Sequence, residues 1–223
     1  MAKIADTKGR ADENSGYVRL LGIKAVGLLI SRLHATVIRT GNELERLLED
    51  ATPSNLKTTL PQAIRSARSA AAASLQVVFS PKIRKRGSSH GITGDIVIFD
   101  HRGNSIRVIE VKDGDTFDTK KASGELESMH QSASALEQET GYIAAIYLCS
   151  FNQPSKEAIV MGAKGRFSPE QVMTGRELCA ILGIDYDVFV GRRRSEQAEN
   201  LDYFLDQLAS IPEVRERLRR IFG

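Results

Sequence analysis

Two apolar, β-branched segments joined by a short polar turn constrain this chain more than any other feature. They span residues 94–100 and 105–112, and the turn is centred on Arg102 and Gly103. This pattern predicts a β-hairpin. The strands are apolar on both faces, which is typical of strands buried inside a sheet. We therefore expect the hairpin to lie at the centre of the fold.

Three charged residues fall at one end of this hairpin. In the predicted register Asp95 lies opposite Glu110, and Lys112 points to the same face as Glu110. Two carboxylates that face each other across a strand pair destabilise it. A divalent cation such as Mg²⁺, which prefers hard oxygen ligands, would compensate. The alternative is a surface hairpin with an ordinary Glu–Lys salt bridge, which is common and weak.

Hydrophobic periodicity predicts further elements on both sides of the hairpin. Residues 75–79 and 142–149 are predicted strands, and residues 124–139 are a predicted amphipathic helix. Together with the hairpin and a helix that begins near Thr40, these elements occur along the chain in the order α-β-β-β-α-β. The sequence therefore predicts an α/β fold of the mixed α+β kind.

The two ends of the chain are predicted to be mainly helical. Residues 17–38 have the apolar spacing of an amphipathic helix or helix pair, and residues 196–221 that of a helix interrupted at Pro212. Two short apolar runs, 158–161 and 187–190, are interpreted as additional strands.

Composition limits the class of protein. The chain has 223 residues, 41% of them hydrophobic and 26% charged, with a net charge of +3. A mildly basic balance permits a nucleic-acid partner without requiring one. Cys149 and Cys179 lie in apolar contexts and indicate thiols in a reducing compartment. No apolar run reaches roughly 18 residues, so we expect no membrane partner and a cytoplasmic location.

The charged residues of the hairpin resemble a known signature. Asp95, then a hairpin turn, then Glu110-Val111-Lys112 is similar to the motif of the PD-(D/E)XK nucleases, which include most type II restriction endonucleases. The resemblance covers the chain from about Thr40 to Phe151. One departure is that Gly94, rather than proline, precedes Asp95.

This resemblance implies a restriction-endonuclease-like core with a central mixed sheet flanked by helices and with extra C-terminal helices. Residues 1–223 would form a single nuclease domain. Residues 1–39 would be an N-terminal helical segment, residues 40–151 the catalytic core, and residues 152–223 an extension for dimer or DNA contacts.

A fourth acidic residue precedes the sheet. Thr40 and Glu43 fit a helix capping box, which gives Glu43 a structural role and leaves Glu45 without one. The segment that ends in Leu44-Glu45 resembles the Gly-x-x-Leu-Glu context in which these nucleases often carry an extra acid. The alternative is a solvated helical glutamate.

The resemblance also implies a role for each site residue. Asp95, Glu110, Glu45 and the Val111 carbonyl would bind Mg²⁺, for which Mn²⁺ can substitute. Lys112 would position the attacking water and stabilise the charge that develops at the phosphate. The products would carry 5′-phosphates.

A basic stretch leads directly into the proposed site and suits contacts with DNA phosphates. Its candidate DNA-binding residues are Lys82, Arg84, Lys85, Arg86, Ser88, Ser89 and His90. A second group of candidates after the motif consists of Thr119, Lys120 and Lys121. A charged loop that is merely solvated is the alternative for the first group.

We interpret the chain as a type II restriction endonuclease that cuts double-stranded DNA. Cutting both strands of a palindrome favours a homodimer, and control of the nuclease implies a cognate DNA methyltransferase in the same bacterial or archaeal cell. One alternative is a repair or recombination nuclease, such as a junction resolvase, on the same core. Another is a non-catalytic nucleic-acid-binding protein with structural carboxylates.

Overall fold

The computed structural model describes residues 3–10, 15–41, 43–69, 75–80, 94–114 and 119–223. The chain forms two compact units. One unit is residues 45–186. The other combines residues 1–44 with residues 187–223.

A five-stranded mixed sheet is the centre of the first unit. Its strands, in spatial and chain order, are β1 (Leu75–Phe79), β2 (Ile96–Asp100), β3 (Ser105–Lys112), β4 (Ile143–Ser150) and β5 (Val172–Thr174). The pairs β1–β2 and β2–β3 are antiparallel, whereas the pairs β3–β4 and β4–β5 are parallel. This arrangement confirms the predicted α/β fold with a central mixed sheet.

Helices account for most of the remaining described residues. They are α1 (Gly16–Leu21), α2 (Lys24–Gly41), α3 (Glu43–Ala51), α4 (Leu60–Ser69), α5 (Thr119–Thr140), α6 (Lys156–Gly162), α7 (Gly175–Leu182), α8 (Tyr186–Ser210) and α9 (Pro212–Phe222). No helix within the described ranges is both long enough and apolar enough to cross a membrane.

The core explains why the hairpin strands are apolar on both faces. Val97 and Phe99 of β2 pack in one cluster with Met129 and Leu136 of α5, and α4 and α6 contribute to the same cluster. The alternate residues of β2, such as Ile98, are equally inaccessible to solvent. Burial of such side chains stabilises the fold by about 25 cal/mol per Å² of apolar surface.

The hairpin has the register that the sequence predicts. Asp100 pairs with Ser105, and the ladder continues to the pair of Ile96 with Ile109. At the turn, Oδ1 of Asp100 accepts hydrogen bonds from the amides of Arg102 and Gly103, at 3.1 and 3.2 Å. The side chain of Asp100 therefore closes the turn that fixes the register.

Both short runs interpreted as strands are helical. Residues 158–161 lie in α6, which Ser155 begins by accepting a hydrogen bond from the amide of Ala158. Residues 187–190 lie in the first turns of α8. Four apolar residues fit a strand and a buried helix turn equally well, so the pattern did not decide between them.

The capping box predicted at Thr40 is also wrong. Thr40 lies inside α2, and its hydroxyl group donates to the carbonyl of Thr36 at 3.0 Å. The predicted helix pair before it is confirmed, because α1 ends at Gly22 with a left-handed φ of 68°.

Candidate active site

Gly94 sets the direction in which the chain enters the site. Its φ is +136°, and a Cβ there would lie 3.0 Å from Cγ1 of Val108. Proline requires a φ near −65°, so it cannot occupy this conformation. The backbone conformation therefore explains why glycine, and not proline, precedes Asp95.

Asp95 follows directly and is held from several sides. Its amide donates to the carbonyl of Ile109 at 2.9 Å, and its carbonyl accepts from the amide of Ser80 at 2.7 Å. Its side-chain Oδ2 accepts a hydrogen bond from the amide of Val111 at 2.7 Å. The carboxylate is thus fixed against the strand that carries Glu110.

Glu110 and Lys112 project from the same face of β3. Nζ of Lys112 donates to Oε1 of Glu110 at 2.5 Å and lies 3.4 Å from Oε1 of Glu125. Glu125 belongs to α5, which packs alongside the sheet. The lysine therefore contacts one acid from its own strand and a second from a helix.

Glu45 reaches the same place from α3. Its Oε2 lies 3.4 Å from the hydroxyl of Ser80, and its carboxyl group lies close enough to that of Asp95 for each to influence the pKa of the other. Leu48, one turn further, is completely buried and anchors the helix. The structure thus brings together all four predicted catalytic side chains, and we call Glu45, Asp95, Glu110 and Lys112 the carboxylate–lysine cluster.

Burial and mutual repulsion keep the acids of this cluster hard to ionise. Desolvation and the charge of Glu45 outweigh the hydrogen bond from Val111 and raise the pKa of Asp95 to about 6. Desolvation and the charge of Asp95 raise the pKa of Glu110. Desolvation and the charge of Glu110 raise the pKa of Glu45.

The same surroundings favour the charged form of Lys112. Burial disfavours its ammonium form, but the hydrogen bond and charge of Glu110, with Glu125 and Asp95, outweigh burial and raise the pKa of Lys112. The lysine is therefore firmly cationic at neutral pH. Its single positive charge does not balance the acids around it.

The donor set suits a hard divalent cation. Three carboxyl groups with raised pKa values gain the most when a cation binds, and Mg²⁺ selects carboxylate oxygens. Within the described ranges, no three His, Cys, Asp or Glu side chains stand ready as a complete ligand set. Oδ2 of Asp95 accepts a hydrogen bond from Val111 and Oε1 of Glu110 accepts one from Lys112, so both oxygens already carry hydrogen bonds in the metal-free protein.

Two residues beside the cluster were not predicted from the sequence. Ser80 ends β1 with a φ of +43° and contacts both Glu45 and Asp95. Glu125 lies 13 residues after Lys112 on an amphipathic helix. A positive φ and a contact between a helix and a strand leave no local signal in the sequence.

The proposed DNA-binding residues divide into two groups. Lys82, Arg84, Lys85, Arg86, Ser88, Ser89 and His90 lie outside the described residues. Residues 119–121, which comprise Thr119, Lys120 and Lys121, form the first turn of α5. Before them, the side chain of Asn152 holds the carbonyl of Asp113 at 2.6 Å and its carboxylate at 2.8 Å.

Comparison with known proteins identifies the family. No family model and no solved structure matches the chain. The type II restriction enzyme HhaII of Haemophilus parahaemolyticus is 39% identical over 227 aligned positions, which cover 100% of both chains. Identity at this level along both complete chains reflects common descent. The chain belongs to the family of type II restriction enzymes that includes HhaII.

Proposed function

We propose that this type II restriction enzyme hydrolyses phosphodiester bonds of double-stranded DNA at a PD-(D/E)XK centre. The reaction depends on Mg²⁺ and leaves 5′-phosphates. The observation that carries the proposal is the convergence of Glu45, Asp95, Glu110 and Lys112 at one end of a buried hairpin. Helix α3 and the two sides of the β2–β3 hairpin supply these side chains.

Asp95, Glu110 and Glu45 supply the carboxylate ligands of the Mg²⁺ ion, and the Val111 carbonyl adds a neutral one. The amide of Val111 already points at Asp95. The N–H and C=O groups of one strand residue point to the same side, so the Val111 carbonyl faces Asp95 as well. When bound, Mg²⁺ lowers the pKa of water and polarises the phosphate, and Mn²⁺ can substitute for it.

Lys112 is the cationic member of the centre. Its raised pKa keeps it protonated at neutral pH, so it orients the attacking water by hydrogen bonding and does not act as a base. Its charge also stabilises the additional negative charge on the phosphate in the transition state. The low exposure of the neighbouring carboxylates strengthens both effects.

The basic segment, residues 81–93, guides DNA to the cluster. Its two ends adjoin the site, because Ser80 contacts Glu45 and Asp95, and Gly94 directly precedes Asp95. Cations and hydroxyl groups in this segment contact phosphates on either side of the scissile bond. The first turn of α5, residues 119–121, adds a second set of contacts.

A homodimer allows both strands to be cut. Apolar side chains on α8 and α9 remain exposed to solvent, among them Leu201, Leu205, Ile221 and Phe222. Exposed apolar surface of this kind favours association between copies. We also propose a cognate methyltransferase that protects the host DNA, with both proteins acting in the bacterial or archaeal cytoplasm.

Plasmid digestion tests the function. Supercoiled plasmids of known sequence are incubated with the purified protein and Mg²⁺, with an EDTA control. We expect discrete, Mg²⁺-dependent fragments whose ends ligate without prior phosphorylation. A smear of fragments, or cutting confined to branched DNA, would show that the protein is a repair or recombination nuclease and not a restriction enzyme.

A further inference from the structure

Lys112 lies between two carboxylates that come from different elements. Nζ is 2.5 Å from Oε1 of Glu110 on its own strand and 3.4 Å from Oε1 of Glu125 on α5. The side chain of Glu110 is 16% exposed, whereas that of Glu125 is 40% exposed. The shorter contact therefore involves the more deeply buried acid.

This arrangement conflicts with the proposed task of Glu110. A divalent cation bound to Glu110 competes with the ammonium group of Lys112 for the charge of the carboxylate, and the two positive charges repel each other at that distance. Cation binding therefore favours a shift of Lys112 away from Oε1 of Glu110. Its ammonium group has three N–H donors that still require acceptors in a half-buried place.

Glu125 already lies where such an acceptor is required. In the part of the chain that the structure describes, it is the other carboxylate within ion-pair distance of Lys112. Because it comes from α5, it does not depend on the conformation of the hairpin end. A shift of Nζ from Glu110 toward Glu125 would shorten a contact that is 3.4 Å long in the metal-free protein.

We propose that Glu125 is a positioning residue, which holds the ammonium group of Lys112 and so frees Glu110 to bind the divalent cation. The inference rests on the proposed metal centre. It assigns no direct metal contact to Glu125, which acts through Lys112.

Binding of Mn²⁺ to the full-length protein without DNA tests the inference. Free Mn²⁺ is measured by electron paramagnetic resonance, a readout that does not require cleavage. Glu125→Gln removes the alternative partner of Lys112, so the lysine remains on Glu110 and competes with the metal. We expect Mn²⁺ to bind about tenfold more weakly to Glu125→Gln than to the wild type.

Two control variants separate this effect from a failure of the metal centre. Glu127→Gln changes an exposed acid of the same helix, which accepts a hydrogen bond from Gln131, and should bind Mn²⁺ like the wild type. Asp95→Asn should bind Mn²⁺ far more weakly. If Asp95→Asn binds Mn²⁺ normally, or the wild type binds none, the centre itself is refuted and the inference falls with it.

The Lys112→Ala background shows whether Glu125 acts through the lysine. Without a competing ammonium group, the protein should bind Mn²⁺ at least as tightly as the wild type, and adding Glu125→Gln should change nothing. An equal loss of affinity in both backgrounds would make Glu125 a metal ligand and overturn the inference. Unchanged affinity in the single Glu125→Gln variant, with Asp95→Asn defective, would also overturn it.

Discussion

The amide of Val111 donates a 2.7 Å hydrogen bond to Oδ2 of Asp95 across the open end of the hairpin. It joins the residue at the centre of the Glu-Val-Lys motif to the aspartate that precedes the other strand. The bond stabilises the ionised carboxylate, yet desolvation and Glu45 outweigh it and raise the pKa of Asp95 to about 6. In the metal-free site, the carboxylates of Asp95 and Glu45 therefore repel each other.

This repulsion predicts that Asp95→Asn stabilises the metal-free protein at neutral pH. Asp95 has a higher pKa in the folded protein, about 6, than in the unfolded chain, about 4. Between these values the folded state binds more protons, so stability falls as the pH rises, and the loss persists above pH 6. Asparagine keeps an acceptor for Val111 but carries no charge.

Thermal or denaturant unfolding in EDTA measures the effect. We expect Asp95→Asn to exceed the wild type by on the order of 1–3 kcal/mol at about pH 8, and the difference to vanish near pH 4. Added Mg²⁺ should stabilise the wild type and leave the variant unchanged. A variant less stable than the wild type at pH 8 would mean that Asp95 is compensated without a metal.

Glu45 is expected to assist the reaction from α3. Because Glu45 interacts with both Asp95 and Glu110, Glu45→Gln should lower the cleavage rate by about 10- to 100-fold at saturating DNA. Glu49→Gln, an exposed acid one turn further along the same helix, is the matched control. Equal cleavage rates for the two variants would show that Glu45 does not contribute to the reaction.

The basic segment is expected to bind DNA through phosphates. Arg86→Ala should weaken binding to unrelated DNA sequences uniformly and reduce the salt dependence of log K by about one unit. Arg102→Ala at the opposite, turn end of the hairpin should leave that slope unchanged. Fluorescence anisotropy at several salt concentrations in EDTA measures the affinity and its salt dependence for both variants. If Arg86→Ala and Arg102→Ala gave the same slope, the basic segment would not be the site of the phosphate contacts.

We predict that the absence of a side chain at Gly175 is required for its close packing against Phe151. A Cβ there would overlap the carbonyl oxygen of Phe151 and lie 2.8 Å from a carbon of its ring. Phe151 is completely buried, so it has no space to move. Gly175→Ala should therefore destabilise the protein by at least about 1–3 kcal/mol in denaturant unfolding.

Gly124 provides the comparison for this change. A Cβ on this helical glycine meets nothing within 4 Å in the described structure. Gly124→Ala should stabilise α5 by up to about 1 kcal/mol, because alanine favours the helix. Similar destabilisation by both substitutions would show that the close approach to Phe151 does not govern the result.

The sequence predicted the features that depend on strong local patterns. Strands β2 and β3 are apolar, β-branched runs, and the Gly103-Asn104 pair between them tolerates the backbone conformations of a tight turn, so the register could be predicted. That register placed Asp95 near Glu110 before any tertiary contact was known. The helix with Glu45 was predicted from residue context, although Thr40 does not cap it.

Features decided by tertiary contacts could not be predicted. Residues 158–161 carry four apolar side chains, and only the capping bond from Ser155 and packing against the sheet make them helical. Glu125 is one of several acids on α5, and nothing in its local sequence marks the one that meets Lys112. Ser80 contacts Asp95 through a backbone bend that serine rarely adopts.

The most direct test is the rate of DNA cleavage by Asp95→Asn with Mg²⁺, measured beside DNA binding on the same sample. If the carboxylate–lysine cluster performs the chemistry, the variant should bind DNA as the wild type does and cleave it at least about 10²–10³-fold more slowly. Cleavage at the wild-type rate by this folded variant would contradict the account and place the chemistry elsewhere in the chain.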